Sequence, residues 1–375
     1  MNKKTVNIAG LILVSLILVM SISGCLEELN FNFGGTTYES HPTKVRYDIS
    51  YGYEVNCNGT GKYTIHYNCD LPEILLGTVY TELLYKQDYK NISLVNNTVI
   101  QWNISGKNSN YYKLGVRVNV ETESYLVNDL NGNNALKLQE IKTFYPNLVD
   151  QYCHEQSDNN ITYIDPNNPT VKSTAQSVLN QANSDNSFIV AKELFIWLKE
   201  NTIYLTHPIN NDVQPSISTY QLGSGDCDDL SFLYISLCRS VGIPARFISG
   251  FLTEDTNGVV RAIGHAWVEV FVGESIGIDG WIPVECACSA SLKTEVNQNF
   301  GVESVGHLRL FKDDGSNESL NMSISGPSVM YDSDIEIDMT SFVEIDNYTI
   351  LESKEFIIDK NNYRSYEEFK DIYIL

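Results

Sequence analysis

The feature that most constrains this chain is a cysteine that follows a glycine loop and leads directly into a helical pattern. Cys227 comes after Gly223-Ser224-Gly225-Asp226, and apolar residues then repeat at helical spacing: Leu230, Leu233, Tyr234, Leu237, Cys238 and Val241. Gly242 and Pro244 predict the end of that helix. We therefore expect Cys227 at the first helical turn, where unpaired N–H groups and the helix dipole favour a thiolate.

A free cysteine is more often a small buried packing residue than a nucleophile. The position of Cys227 argues against packing, because it adjoins a glycine loop and three carboxylates, those of Asp226, Asp228 and Asp229. Their negative charge would raise the pKa of the thiol, so an activated cysteine requires a nearby cation. A histidine is the natural candidate for that cation.

The histidine occurs in Gly264-His265-Ala266-Trp267-Val268-Glu269-Val270, where the apolar residues predict a buried strand with His265 near its start. A second apolar stretch, residues 280–284, leads into Glu285. Two neighbouring strands would place His265 and Glu285 side by side, facing the Cys227 helix, as nucleophile, base and orienting acid. Asp279 is the alternative acid, although Ile278-Asp279-Gly280 is typical of a turn.

These blocks, written GxGxCxDxxxLxxxLxRxxGIPAR, GHAWVEV and GWIPVE, resemble the transglutaminase-like core, whose fold is related to that of papain-type cysteine proteases. The resemblance covers residues 165 to 290, approximately, and implies that Cys227 is the nucleophile, His265 the general base and acid, and Glu285 the third triad member. One position departs from the family, which usually has Asp-Pro where this chain has Glu285-Cys286. Glutamate carries the same charge on a longer stem and can still orient an imidazole.

An oxyanion hole requires hydrogen-bond donors beside the carbonyl under attack, each worth a factor of about 10²–10³ in rate. The backbone N–H of Cys227 is the first candidate donor. By resemblance to papain-like enzymes, Gln221 would supply a side-chain amide, and Tyr220 is the alternative. An ordinary loop at these two positions is the competing interpretation.

The remaining cysteines allow both a metal and a disulfide interpretation. Cys286 and Cys288 with a distant histidine such as His307 offer metal ligands, but no second pair occurs at zinc spacing, so we expect no metal and no cofactor. A disulfide from Cys286 or Cys288 to Cys153 or Cys238 is at least as consistent with an oxidising compartment.

Cys57 and Cys69 form another candidate pair in the first half of the chain. In a plain hairpin that turns at residues 58–61, Cys69 would lie about 23 Å further along the strand than the residue opposite Cys57. That separation disfavours a bridge.

Residues 1–25 have the pattern of a lipoprotein signal peptide. Two lysines precede an apolar run over residues 8–23, and small residues lead into Cys25, in a sequence that resembles the prokaryotic lipobox. The resemblance implies cleavage before Cys25 and a lipid on its sulfur, whereas an uncleaved transmembrane anchor is the alternative. Both predict membrane lipid as a partner and an extracytoplasmic body, with residues 26–44 as a flexible tether.

Beyond residue 44 the chain predicts two folded regions, α+β overall. Strict alternation of apolar residues over 45–140 predicts antiparallel strands in a β-sandwich-like domain. Residues 141–310 predict the transglutaminase-like core, with helices packed on an antiparallel sheet. Residues 311–375 predict closing strands and a short amphipathic helix.

A net charge of −22 disfavours nucleic acid as a partner. We therefore predict an extracytoplasmic cysteine acyltransferase or hydrolase that acts on protein or peptide amides through a thioester. The alternative is a binding or adhesion module that keeps the fold without catalysis.

Overall fold

The fold is described from a computed structural model of the chain. The description covers residues 37–73, 80–127, 129, 131–206, 213–256, 259–288 and 293–358. The predicted signal peptide with Cys25, most of the tether and the C-terminal helical pattern lie outside these residues. Within them, no helix combines the length and the hydropathy that crossing a membrane requires.

The described residues form a mixed α/β structure whose sheets are mostly antiparallel. The helices are α1 Leu138–Phe144, α2 Pro146–Tyr152, α3 Pro169–Ala182, α4 Ser187–Asn201, α5 Ser216–Leu222, α6 Cys227–Ser240, α7 Lys293–Asn299 and α8 Asn317–Ile324. The strands are β1 Thr37–Gly59, β2 Lys62–Asp70, β3 Tyr80–Leu83, β4 Tyr89–Leu94, β5 Asn97–Lys107, β6 Asn110–Glu123, β7 Tyr125–Leu126, β8 Gln156–Asp158, β9 Ile161–Ile164, β10 Ile203–Tyr204, β11 Ser224–Gly225, β12 Ala245–Thr256, β13 Val259–Phe271, β14 Trp281–Val284, β15 Val302–Glu303, β16 His307–Lys312, β17 Ser328–Tyr331 and β18 Ile335–Ile358.

The helix that begins at Cys227 is the centre of the larger hydrophobic core. From Leu230 to Arg239 every residue of α6 is buried, so the helix packs on all sides rather than along one stripe. Helices α3 and α4 cover one side, and a four-stranded antiparallel sheet, ordered β14-β13-β12-β16, contributes the opposite wall. The core therefore encloses α6 and leaves its first turn at the boundary.

A buried arginine fixes the other end of α6. The guanidinium of Arg239 donates to the carbonyl oxygen of Ala245 at the start of β12 and to the side chain of Gln156 on β8. Arg239 also pairs with Asp313, just after β16, at 3.2 Å. Because a buried charge without a partner is costly, these contacts tie the last turn of α6 to both strands and to the end of the sheet.

A second buried ionic network crosses that sheet. Glu269 on β13 accepts hydrogen bonds from Arg246 on β12 at 2.8 Å and from Arg309 on β16 at 2.6 Å. Arg309 also pairs with Glu303, which accepts from the indole N–H of Trp267 at 3.1 Å. Burial raises the pKa of Glu269, but the two arginines outweigh it and hold that pKa at about 2.

Two further antiparallel sheets take strands from both ends of the chain. One has the order β18-β1-β6-β3 and the other β17-β2-β5-β4. Their buried faces share one hydrophobic core. The strands β17 and β18 therefore pair with the N-terminal strands along this assembly, and β1 runs beside β18 from Thr37↔Ile358 to Gly59↔Ile335.

The cysteine pairings considered from the sequence do not occur. All seven cysteines in the described part of the chain are free, including Cys153, Cys238, Cys286 and Cys288. The assumed hairpin around residues 58–61 is also wrong, because β1 and β2 belong to different sheets.

Replacing Glu269 with Gln should lower the free energy of unfolding by about 3 kcal/mol, because removing one partner of a buried ion pair leaves the other charge uncompensated. Urea denaturation at pH 7 measures this loss. The matched control is Glu82→Gln, which removes an exposed ion pair with Lys86 and should change stability by less than about 0.5 kcal/mol. Equal, small effects of both substitutions would show that the network does not stabilise the fold.

Candidate active site

Cys227 is the first residue of α6, and its loop is held by a buried carboxylate. Asp229 accepts a hydrogen bond from the backbone N–H of Asp226 at 3.2 Å and another from the amide side chain of Gln214 at 2.8 Å. The loop passes so close to Asp229 that a Cβ on Gly225 would lie 2.5 Å from the Asp229 Cβ. This close approach explains the glycine two positions before the cysteine.

His265 and Glu285 meet beside this helix N-terminus. His265 lies in the middle of β13, further from the strand start than the sequence suggested, and Glu285 follows the last residue of β14. The Nε2 atom of His265 is 2.7 Å from Oε2 of Glu285. The next residue after His265, Ala266, has a backbone hydrogen bond with Cys227. The structure thus brings all three predicted triad residues to one place.

Asp279, the alternative acid, lies elsewhere. It is exposed, and its φ of 51° places it in a turn between β13 and β14. Glu285 therefore takes the carboxylate position beside His265.

A second histidine, His307, shares the same carboxylate. Its Nε2 atom is 3.2 Å from Oε2 of Glu285, and its Nδ1 atom is 2.9 Å from the hydroxyl of Ser304. The other carboxylate oxygen, Oε1, accepts the backbone N–H of Ala287 at 2.7 Å. Burial raises the pKa of Glu285, yet the hydrogen bonds from His265 and His307 outweigh it, so the net pKa lies well below its usual range.

Strand pairing explains how His307 reaches the site. Gly250 on β12 lies opposite His265 on one side and opposite Arg309, two residues after His307, on the other. A Cβ on Gly250 would lie 1.9 Å from the carbonyl oxygen of Leu308, so only glycine permits this close pairing. From the sequence, His307 was predicted only as a possible metal ligand with distant cysteines, because no spacing rule connects it to Glu285.

The environment of Cys227 favours a neutral thiol. Burial and the negative charges of Asp228 and Asp226 together raise its pKa to about 12, against the lowering effect of the Ala266 backbone. Asp228 is itself partly buried and hydrogen-bonded to Asp226, and both effects raise its pKa to about 8. The helix N-terminus alone therefore does not produce a thiolate at neutral pH, and activation of the thiol requires a base such as His265.

The two predicted oxyanion donors differ in their surroundings. The hydroxyl of Tyr220 lies 3.0 Å from that of Thr174, and its ring stacks on Trp197 at 5.5 Å, so this side chain is engaged in packing between helices. Gln221 is exposed on α5. Tyr204 was not among the predicted site residues; partial burial and negative charge on Cys227 raise the pKa of its phenol to about 12.

Metal-ligand atoms converge in two places within the described residues. One group is His265, Glu285 and His307, and the other is Asp226, Cys227 and Asp228, with the atoms of each group within 4.8 Å of one another. Neither Cys286 nor Cys288 belongs to such a group there.

The family model of the Transglutaminase-like superfamily matches residues 155–286, which include α3 to α6, His265 and Glu285. The uncharacterized protein YebA of Bacillus subtilis is 29% identical over 116 residues. That alignment spans 27% of this chain and 15% of YebA. The family match therefore includes the region that carries the site.

Among solved structures, a candidate cysteine protease from Cytophaga hutchinsonii superposes with a TM-score of 0.51 at 12% identity. The superposition covers 83% of this chain and 93% of that protein. The periplasmic domain of TgpA from Pseudomonas aeruginosa is more distant, with a TM-score of 0.31 at 13% identity over 68% of this chain and 92% of that domain. The first similarity supports a shared fold for most of the chain.

Asp228→Asn should change the reactivity of Cys227 in a pH-dependent way. Below pH 8 Asp228 is largely protonated in the wild-type protein, so both proteins should react with iodoacetamide at similar rates. Above pH 8 the wild-type carboxylate is charged and disfavours the thiolate, so the variant should react severalfold faster. Rates are measured from pH 6 to 10 by mapping alkylated Cys227.

The control for this experiment is Asp150→Asn, at an exposed carboxylate on α2. It should follow the wild-type profile throughout. Identical profiles of the wild type and Asp228→Asn at pH 9 would show that Asp228 does not control the thiol.

Proposed function

We propose that this protein is a cysteine-dependent acyltransferase or hydrolase that acts on amide bonds or carboxamides of proteins or peptides. The observation that carries the proposal is the 2.7 Å contact between His265 and Glu285, beside the first turn of the Cys227 helix. The match of residues 155–286 to the Transglutaminase-like superfamily supports the same class of chemistry.

In the proposed mechanism, Cys227 starts as a neutral thiol. His265 accepts the thiol proton as the sulfur attacks the carbonyl carbon, and Glu285 stabilises the imidazolium that forms. The tetrahedral intermediate collapses to a thioester, and the leaving amine takes the proton from His265. Water or a second amine then attacks the thioester and its proton passes to His265; the C–S bond breaks, and the sulfur takes that proton back to regenerate the Cys227 thiol. Water gives hydrolysis, whereas an amine gives acyl transfer.

Tyr204 is the proposed side-chain donor to the oxyanion. Its phenol is close enough to Cys227, Asp226 and Asp228 that their negative charges raise its pKa. A phenol with a pKa of about 12 remains protonated at neutral pH and can donate a hydrogen bond. The backbone N–H of Cys227 and the exposed Gln221 remain proposed donors, whereas packing against Trp197 makes Tyr220 the weakest candidate.

The surface beside the nucleophile suits an apolar peptide segment. Strand β10 pairs with β11, which ends two residues before Cys227, and Leu205 donates to the carbonyl oxygen of Gly225 at 2.9 Å. The side chains of Ile203, Leu205 and Leu222 are 65%, 52% and 66% exposed. Such a cluster of exposed apolar side chains next to a reactive residue is typical of a binding surface.

The proposed organisation keeps the predicted anchor and location, whereas residues 37–44 of the predicted tether belong to strand β1. Cys25 is the proposed lipidation site, membrane lipid the proposed partner, and the extracytoplasmic side of the membrane the proposed location. In this proposal the two sheets that share a hydrophobic core form a sandwich-like domain. Two of its strands, β17 and β18, come after residues 141–310, the predicted transglutaminase-like region.

The second candidate function is a binding module without catalysis. The observation that favours it is the raised pKa of Cys227, about 12, since most cysteine nucleophiles have a lowered pKa. The two functions differ in whether Cys227 forms an acyl intermediate.

Incubation with 4-nitrophenyl acetate should produce one acetyl group on Cys227, seen by intact-mass and peptide analysis of residues 26–375. The acetyl group should be absent in Cys227→Ser. Acylation should be about 100-fold slower or more in His265→Ala, because general base catalysis typically contributes that much. Glu285→Gln should also be slower, whereas Asp279→Asn is the matched control and should react like the wild type. A folded wild-type protein that forms no acyl-cysteine would favour the binding module.

Tyr204→Phe should separate oxyanion stabilisation from thiol reactivity. Acylation by 4-nitrophenyl acetate passes through an oxyanion and should slow by about 10-fold to 100-fold. Alkylation by iodoacetamide forms no oxyanion and should change less than twofold. Equal slowing of both reactions would instead show that Tyr204 shapes the access or acidity of Cys227.

A further inference from the structure

His307 is the part of the site that a three-residue triad leaves without a role. Its Nε2 atom lies 3.2 Å from Oε2 of Glu285, and Nε2 of His265 lies 2.7 Å from the same oxygen. Two imidazole nitrogens and one carboxylate oxygen thus converge within 4.8 Å.

We propose that His265, Glu285 and His307 form a binding site for a divalent transition-metal ion of the zinc type, and that the bound ion reversibly blocks catalysis. The inhibitory consequence rests on the proposed function, but the binding of the ion does not. The proposal also departs from the sequence-based expectation that the site takes no metal.

The donor set matches the preferences of zinc. Two histidines and a glutamate are a known ligand combination for this ion, with Zn–N and Zn–O distances of about 2.0–2.2 Å. Tetrahedral geometry at those distances requires ligand atoms about 3.3 Å apart. The Glu285–His307 separation of 3.2 Å already meets this requirement. The Glu285–His265 separation of 2.7 Å has to widen by roughly half an ångström as the ion replaces the shared proton.

Outer contacts orient two of the ligands for metal binding. The hydroxyl of Ser304 lies 2.9 Å from Nδ1 of His307, and when Nδ1–H donates to it the lone pair of Nε2 faces Glu285. The backbone N–H of Ala287 holds Oε1 of Glu285 at 2.7 Å, which leaves Oε2 free to bind. Metal-binding histidines and carboxylates are usually held by such partners.

The ligands also stand on a rigid support. His265 on β13 and His307 on β16 flank the same strand, β12. The ring of Trp267 packs against both, with centroids 6.0 Å from His265 and 4.9 Å from His307, and its indole N–H is held by Glu303. Rotation of either imidazole away from the site is therefore opposed by packing.

A bound ion would prevent catalysis through His265. It occupies the Nε2 lone pair, breaks the hydrogen bond to Glu285 and adds positive charge to the ring. An imidazole in that state is a much poorer acceptor for the Cys227 proton. A neutral ring bound to the ion through Nε2 carries its proton on Nδ1, so neither nitrogen can accept the Cys227 proton.

Zinc binding to the metal-free protein is measured by isothermal titration calorimetry at pH 7.5, and coordination by the visible spectrum of the Co²⁺ form. The wild type should bind one ion, and Cys227→Ser should bind it equally well. His307→Gln should weaken binding at least 100-fold. Ser304→Ala, which removes only the outer hydroxyl, should weaken it about 10-fold and covers the case in which His307→Gln does not fold.

Three results would overturn the proposal. Binding lost in Cys227→Ser but kept in His307→Gln would place the ion at Asp226, Cys227 and Asp228, the other convergent group. Unchanged binding in both His307→Gln and Ser304→Ala would place it elsewhere. No binding at millimolar zinc would leave His307 as a residue that positions Glu285. None of these results depends on whether the protein acylates Cys227.

Discussion

The arrangement of the site depends on the buried charge of Arg239. A guanidinium that loses its water must be surrounded by acceptors, and those acceptors come from β8, β12 and the segment after β16. The last turn of α6 is therefore fixed against the same sheet that carries His265 and His307. Because the helix between Leu230 and Arg239 is fully buried, its direction is fixed too. The position of Cys227 at the opposite end follows from this anchoring.

Local patterns predicted much of this structure. The helical spacing after Cys227 agrees with α6. Glu285 was preferred over Asp279 because the latter lay in a turn sequence, and the structure has that turn. These features are short-range, since helix period, strand alternation and turn chemistry depend on neighbours along the chain.

Features that depend on distant pairing were not predictable in this way. Nothing in the alternation of residues 335–358 indicates that their partner is β1, because period two gives the buried face but not the neighbouring strand. His307 reaches Glu285 only because β12 pairs with both β13 and β16. The proximity of Tyr204 to Cys227 depends on the pairing of β10 with β11. The raised pKa of Cys227 likewise depends on burial of the thiol, which cannot be inferred from the charged residues beside it in the sequence.

The pairing of β1 with β18 has a consequence for the order of events during synthesis. Strand β1 lies between β18 and β6, and its partner in β18 is separated from it by most of the chain. The ribosome releases β1 among the first described residues, but β18 emerges last, so one edge of β1 stays open while the intervening segments fold. An open edge can pair with other chains. The first of the described strands to leave the ribosome is thus the last to be enclosed, and a nascent chain is most exposed to aggregation over that interval.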